Sequence, residues 1–219
     1  MVKQALPPCM GVSRNAEATK LRVLCLHGYH GSADIMRGQM APLTRGLDHL
    51  AEFVYVDAPS LAAGDFGWWH AVDDARVTRY EGWPRTREWI CSFFEREGRF
   101  DGVFGFSQGG ALAGLLVGLR LPFDFVAIAG GFLAEARSLD SIYDSRAAYA
   151  LPSVHLIGRT DSIIPPDDSR RLSARFLRPL VLEHEGGHVI PSTHDVVSGI
   201  ESFFRERIAR GRRRPVDAT

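Results

Sequence analysis

The chain has little cysteine: Cys9, Cys25 and Cys91 among 219 residues, an odd number with no metal-type spacing. That count argues against a disulfide scaffold, so a reducing, cytoplasmic setting is expected. A charge excess is also missing. Lys+Arg and Asp+Glu balance at 26 each, so neither nucleic acid nor an acidic surface is expected as a partner. No apolar run approaches the roughly 20 residues of a membrane-spanning helix. Residues 1–19 mix Pro, Asn, Glu and Lys without the continuous apolar core of a signal peptide, and a disordered extension is expected there. Six arginines crowd the last fifteen residues; a solvated, frayed end explains them, with 210–219 as a disordered basic tail. No internal repeat or interdomain linker interrupts the middle. Residues 20–209 therefore read as one domain, long enough for a substantial core.

What is present is an alternation of strand-length apolar runs with helix-period segments, which marks a parallel sheet with crossover helices. The runs are 21–26, 52–57, 102–106, 125–129, 154–157 and 180–183. Between them, Ser32 is placed to cap a helix carrying Ile35, Met36, Met40, Leu43 and Leu47, which Pro42 is expected to kink or split. Further helices are expected over about 85–97, from Ser107 to about Leu119, from Pro166, and from near Pro191 onward. The fold class is α/β, a doubly wound, mostly parallel sheet of about six strands flanked by helices. Two connections exceed a minimal crossover. Residues 60–84 carry Phe66, Trp68, Trp69, Tyr80 and Trp83, and residues 131–150 carry Phe132, Leu133, Ile142 and Tyr143. Both emerge at the carboxyl ends of strands, where ligands bind in open α/β sheets. Phe66, Trp68, Trp69 and Phe132 are candidate substrate-binding rings; the plainer alternative is that these rings plug the loops onto the body.

Gly105-Phe106-Ser107-Gln108-Gly109 joins the third run to a small-residue helix. This is the G-x-S-x-G pattern of a serine held on a tight strand-to-helix turn with its oxygen exposed. The five letters alone are weak, since about 0.15 chance matches are expected in such a chain; the strand before and helix after give them weight. A serine hydroxyl needs a base, and the base needs an orienting acid. In this architecture they follow in the order serine, acid, histidine, each after a later strand. The fifth run ends in Gly158-Arg159-Thr160-Asp161 and the sixth leads to Glu183-His184-Glu185-Gly186-Gly187-His188. Asp161 and His188 are thus the expected acid and base, with Asp140 in reserve. Asp161 is alternatively a turn or cap residue, although Ser162 and the acids beside Pro166 are better placed to cap. His184 lies nearer its strand, and His194 falls in the first turn of the last helix. The developing negative charge needs two backbone donors. They are expected from Gln108 N–H, after the serine, and Tyr29 N–H, in the loop His27-Gly28-Tyr29-His30-Gly31. His27 itself is read as packing within that loop.

His184-Glu185-Gly186-Gly187-His188 also matches H-E-x-x-H, with His194 where a third zinc ligand would fall. Such a site needs a helix, and two adjacent glycines cost a helix roughly 2 kcal/mol against alanine. Pro191 replaces the turn glycine, and all four methionines lie upstream. A zinc site is not expected.

With these residues in place, the chain resembles the FSH-type family of serine hydrolases, which are small α/β-hydrolases. The likeness covers residues 21–205 and rests on Leu26-His27-Gly28-Tyr29, Val56-Asp57-Ala58-Pro59, Gly105-Phe106-Ser107-Gln108-Gly109-Gly110, Asp161 with Pro165, and Glu183 through Pro191. It implies the α/β-hydrolase fold, the triad Ser107, Asp161 and His188, and carboxylesterase activity. Some relatives are thioesterases that release acyl chains from a carrier protein. Acyl-protein thioesterases share G-F-S-Q-G-G but usually lack the Asp-Ala-Pro segment. The expected function is hydrolysis of a small-molecule acyl ester or thioester through an acyl-enzyme on Ser107, with no cofactor and possible use of an acyl carrier protein. The expectation of another class is a catalytically silent scaffold that only binds.

Overall fold

The six apolar runs pair side by side in one sheet. A computed structural model describes residues 20–59, 67–74, 77–136, 139, 142 and 148–212. In chain order the strands are β1 (Leu21–Leu26), β2 (Ala51–Val56), β3 (His70–Asp74), β4 (Val77–Glu81), β5 (Gly102–Phe106), β6 (Phe125–Ala129), β7 (Ser153–Gly158) and β8 (Leu180–His184). All but β3 and β4 form a six-stranded sheet in the order β2-β1-β5-β6-β7-β8, parallel throughout. From β1 the path through the sheet steps out to β2 and returns on the other side as β5. β1 and β5 therefore flank the point where the winding reverses, the place outside the carboxyl ends where ligands bind in open α/β sheets.

Side chains alternate across each strand and so divide the core in two. Leu24, Leu26, Val103, Val126 and Ile128 pack on one face against α2 (Trp83–Glu97) and α3 (Gln108–Gly118). Val23, Cys25, Phe104, Phe106, Phe125 and Ala127 pack on the other. There they meet Met36, Met40 and Leu43 of α1 (Ala33–Thr44) and Val196, Ile200, Phe203 and Phe204 of the last helix. That α3 is buried over nearly its whole length explains its run of Gly, Ala, Leu and Val. An exposed helix would need a polar face.

Several boundaries differ from expectation. Helix α1 starts under the Ser32 cap, whose hydroxyl accepts the Ile35 N–H at 3.2 Å, and it runs unbroken across Pro42. It then stops at Thr44, and Leu47 is buried from a series of tight turns. The helix after β7, α4 (Pro166–Ser173), begins after Pro165 without a side-chain cap, so neither Ser162 nor the neighbouring acids cap it. The last helix, α5 (His194–Arg212), enters the segment expected to be a tail. The long connection after β2 contains the antiparallel hairpin β3–β4, which the sequence pattern concealed. No helix among the described residues is long and apolar enough to cross a membrane.

One buried histidine gives the fold a pH dependence. His155 on β7 is 2% exposed, with Nε2 3.1 Å from Ser153 Oγ and its ring against Phe176. Burial pushes its pKa down to about 3. The folded chain keeps it neutral, whereas the unfolded chain takes up a proton below the ordinary value of 6.5. Stability is therefore full above pH 6.5 and is lost progressively as pH falls toward 3. Between pH 7 and pH 5 this histidine should remove about 2 kcal/mol. Urea denaturation at the two pH values should show that drop shrinking by about 2 kcal/mol in the Ser153→Ala/His155→Leu double variant. An unchanged drop would contradict it.

Candidate active site

Ser107 sits between β5 and α3 with φ +54° and ψ −119°, a conformation that costs a non-glycine residue of order 1–3 kcal/mol. Close packing holds it there. A Cβ on Gly105 would collide with the Gly109 carbonyl, and one on Gly109 with the carbonyls of Leu26 and His27. Both glycines of the pentapeptide thus let α3 press its first turn against β5 and the end of β1. The Ser107 N–H donates to the Ala129 carbonyl at 2.9 Å, tying the turn to β6. Ser107 is half-buried.

Asp161 and His188 meet although 27 positions apart: His188 Nδ1 lies 2.7 Å from Asp161 Oδ2. The carboxylate is 2% exposed and the imidazole 12%. Asp161 also fills the alternative role weighed for it. Its Oδ1 accepts the N–H groups of Ile163 and Ile164, each at 2.9 Å, so the turn that follows β7 fixes the carboxylate while Oδ2 is left for the histidine. The His188 ring lies against Phe106, with centroids 4.8 Å apart. Gly130, with φ +54°, gives it room, because a Cβ there would come 3.1 Å from His188 Cε1. The imidazole is therefore seated beside the residues that flank Ser107 in chain and sheet. No hydrogen bond between Ser107 Oγ and His188 is formed among the described residues. Such bonds are often loose without substrate.

The other histidines of this segment are engaged elsewhere. His184 Nδ1 accepts the Gly186 N–H at 3.2 Å, and its burial pulls its pKa down, partly opposed by Asp161 and Glu185. His194 is exposed at the start of α5. The H-E-x-x-H letters run from the end of β8 into a loop, not along a helix, so the two histidines lack the common helical face a zinc site requires. The loop is stitched to β7 by Arg159 N–H to the His184 carbonyl at 2.8 Å and by Thr160 Oγ1 to the Glu185 carbonyl at 3.1 Å.

The loop after β1 approaches Ser107 from the other side; a Cβ on Gly28 would stand 3.3 Å from Ser107 Cβ. The Asp-Ala-Pro segment after β2 anchors this loop. Asp57 Oδ1 accepts the Ala33 N–H at 2.7 Å, and the Ala58 N–H donates to His27 Nε2 at 3.0 Å. His27 is fully buried, and desolvation lowers its pKa, partly opposed by its bond to Gly28 and by Asp57. Tyr29 is 46% exposed, with its hydroxyl 2.6 Å from His70 Nδ1 on the hairpin.

The candidate substrate-binding rings fare differently. Trp68 and Trp69 are 0% and 1% exposed and belong to the core. Trp68 faces Trp89, and Trp69 packs between Tyr80 and Trp83. Rings without accessible surface cannot touch a ligand in this arrangement, so the plainer alternative, rings that plug the loop onto the body, describes these two. Phe132 is half-buried and packs against the core. Phe66, Asp140 and Tyr143 lie outside the described residues. What the sequence did not reveal is the side chain of Gln108. It is buried, accepts the Trp68 N–H at 2.9 Å and donates to the Trp69 carbonyl at 2.8 Å.

The family described as Serine hydrolase (FSH1) matches residues 16–200. Esterase CG5412 of Drosophila melanogaster is 31% identical over 86% of this chain and 75% of its own. Esterase C25G4.2 of Caenorhabditis elegans is 31% identical over 87% and 96%. Among solved structures, acyl-protein thioesterase 2 of Zea mays superposes with a TM-score of 0.63 at 16% identity, covering 91% of this chain and all (100%) of that one. That last likeness is one of fold.

The elbow packing yields a prediction. Gly109→Ala should cost about 3 kcal/mol or more, because backbone must move to admit the methyl. Gly38→Ala, whose methyl meets nothing within 4 Å on α1, should gain up to about 1 kcal/mol. Urea denaturation measures both; a Gly109→Ala loss below about 1 kcal/mol would contradict the packing account.

Proposed function

The chain belongs to the serine hydrolase (FSH1) family, and from that premise we propose that it cleaves acyl esters through an acyl-enzyme on Ser107, with His188 as base and Asp161 as its orienting acid. It is a hydrolase of the esterase or thioesterase type. The observation that carries the finer reading is the Asp161–His188 pair lodged against the strained turn of Ser107. Asp161 accepts from Nδ1, so Nδ1 carries the proton and Nε2 is the basic nitrogen.

In the reaction, Ser107 Oγ bonds to the acyl carbon while its proton passes to His188 Nε2. The bond to the leaving oxygen or sulfur then breaks, and the leaving group takes that proton. Water attacks the acyl-enzyme, His188 accepts the water's proton, and the serine is released protonated. The oxyanion of both tetrahedral species accepts from the N–H groups of Tyr29 and Gln108. Phe132, and Phe66 outside the described residues, are the rings proposed to touch the acyl group. Ester and thioester present the same acyl carbon to this machinery. A thioester carried by an acyl carrier protein or another acyl-protein remains within its range, since Gly105 through Gly110 is the stretch that acyl-protein thioesterases share. Cys25 and Cys91 stand as thiols, which supports a cytoplasmic setting.

A fluorophosphonate probe should label the protein, and Ser107→Ala should abolish labelling and lower turnover of p-nitrophenyl esters by at least about a thousandfold. Undiminished labelling of the Ala variant would refute the assignment. A wild-type protein that turns over no ester or thioester of any acyl length would make it a silent binding scaffold.

A further inference from the structure

His27 takes no part in the chemistry proposed above, yet it is fully buried and uses both ring nitrogens. Nε2 accepts the Ala58 N–H at 3.0 Å, which fixes the tautomer and puts the proton on Nδ1. Nδ1–H then donates to the Gly28 carbonyl at 2.7 Å. That carbonyl belongs to the peptide whose other end is the Tyr29 N–H. A trans peptide is planar, with C=O and N–H pointing in opposite directions. No cis peptide occurs among the described residues. Holding the Gly28 oxygen on the His27 ring, and against the Gly31 N–H at 3.0 Å, therefore sets where the Tyr29 N–H points.

Accepting the oxyanion role of Tyr29, on which this rests, we propose that His27 is a positioning residue that aims the Tyr29 N–H by holding the Gly28 carbonyl. Trp68 braces the same loop against the side chain of Gln108. Its indole Nε1–H donates to the His27 carbonyl at 2.8 Å, and its backbone N–H donates to the Gln108 side chain. Thr86 Oγ1 and the Gln108 amide hold the carbonyls of Trp68 and Trp69 in turn. One buried tryptophan thus links the His27–Gly28 peptide, the one before that of the Tyr29 N–H, to the side chain of Gln108. The uncharged imidazole suits this task, because burial lowers its pKa and a protonated Nε2 would turn its bond from the Ala58 N–H into a clash of donors.

The test separates aim from stability. In His27→Asn the side-chain amide nitrogen stands near the place of Nδ1 and keeps a donor for the Gly28 carbonyl. In His27→Leu that donor is gone. Both variants orphan the Ala58 N–H, so both lose similar stability in thermal melts. With a p-nitrophenyl ester, His27→Leu should lower kcat by about a hundredfold with KM within about twofold. Its affinity for an alkyl boronic acid, which forms a tetrahedral adduct on the serine, should fall by the same factor. His27→Asn should recover most of both. Trp68→Phe, which keeps a ring and loses the indole N–H, should lower kcat and boronate affinity together by about tenfold, and it decides the matter should His27→Leu not fold. Equal kcat and boronate affinity in the Leu and Asn variants, or unchanged values in Trp68→Phe, would overturn the inference while leaving the acyl-enzyme reading intact. A wild-type protein that neither binds boronate nor turns over ester would overturn both.

Discussion

The whole site depends on one strained turn. Ser107 is held at a positive φ that an L-residue avoids, and it is kept there because α3 presses its glycine-lined first turn onto the carbonyls that end β1. That pressure is only possible at the winding reversal, where β1 and β5 are neighbours and both run up to the same rim. The strain is small beside the apolar surface buried on both faces of the sheet, which is of the size that fixes a domain as a unit. An isolated peptide with these five residues would relax; the sheet does not let it.

Around that turn, polar groups are arranged so that each loop is tied to its neighbour. Asp161 divides its two oxygens between the turn it stands in and the histidine it orients. His27 and Gln108 do the same for the loop after β1 and the segment before the hairpin. These are buried or nearly buried bonds, where an unmet donor or acceptor costs about 1–3 kcal/mol. The exposed ion pairs of Arg159 and Arg170 with Glu183 also join rim segments, but solvent screening leaves each little net effect. Rigidity at the rim comes from the buried network.

Much of the architecture was legible in the residues. Strands buried on both faces read as unbroken apolar runs, so Phe125–Ala129 and its neighbours stand out. Ser107, Asp161 and His188 stand out because each follows such a run by a few residues, and the structure joins Asp161 to His188 and seats that ring against Phe106. The β3–β4 hairpin was not legible. Ala75 and Arg76, between its strands, are not the residue types that mark a two-residue turn, and only part of each strand alternates. The fate of Trp68 and Trp69 was hidden for a different reason. Aromatic rings in a long loop serve a pocket or a plug equally well, and only the positions of Trp83, Trp89 and Tyr80 decide between them. Hydrogen bonds from the Gln108 amide to main-chain groups some 40 positions away leave no local pattern at all.

The most direct measurement is a crystal structure of the protein after reaction with an alkyl fluorophosphonate. The account predicts phosphorus bonded to Ser107 Oγ and its phosphoryl oxygen about 3 Å from the main-chain nitrogens of both Tyr29 and Gln108. Phosphorus on another residue, or a phosphoryl oxygen turned to solvent away from those two nitrogens, would contradict it.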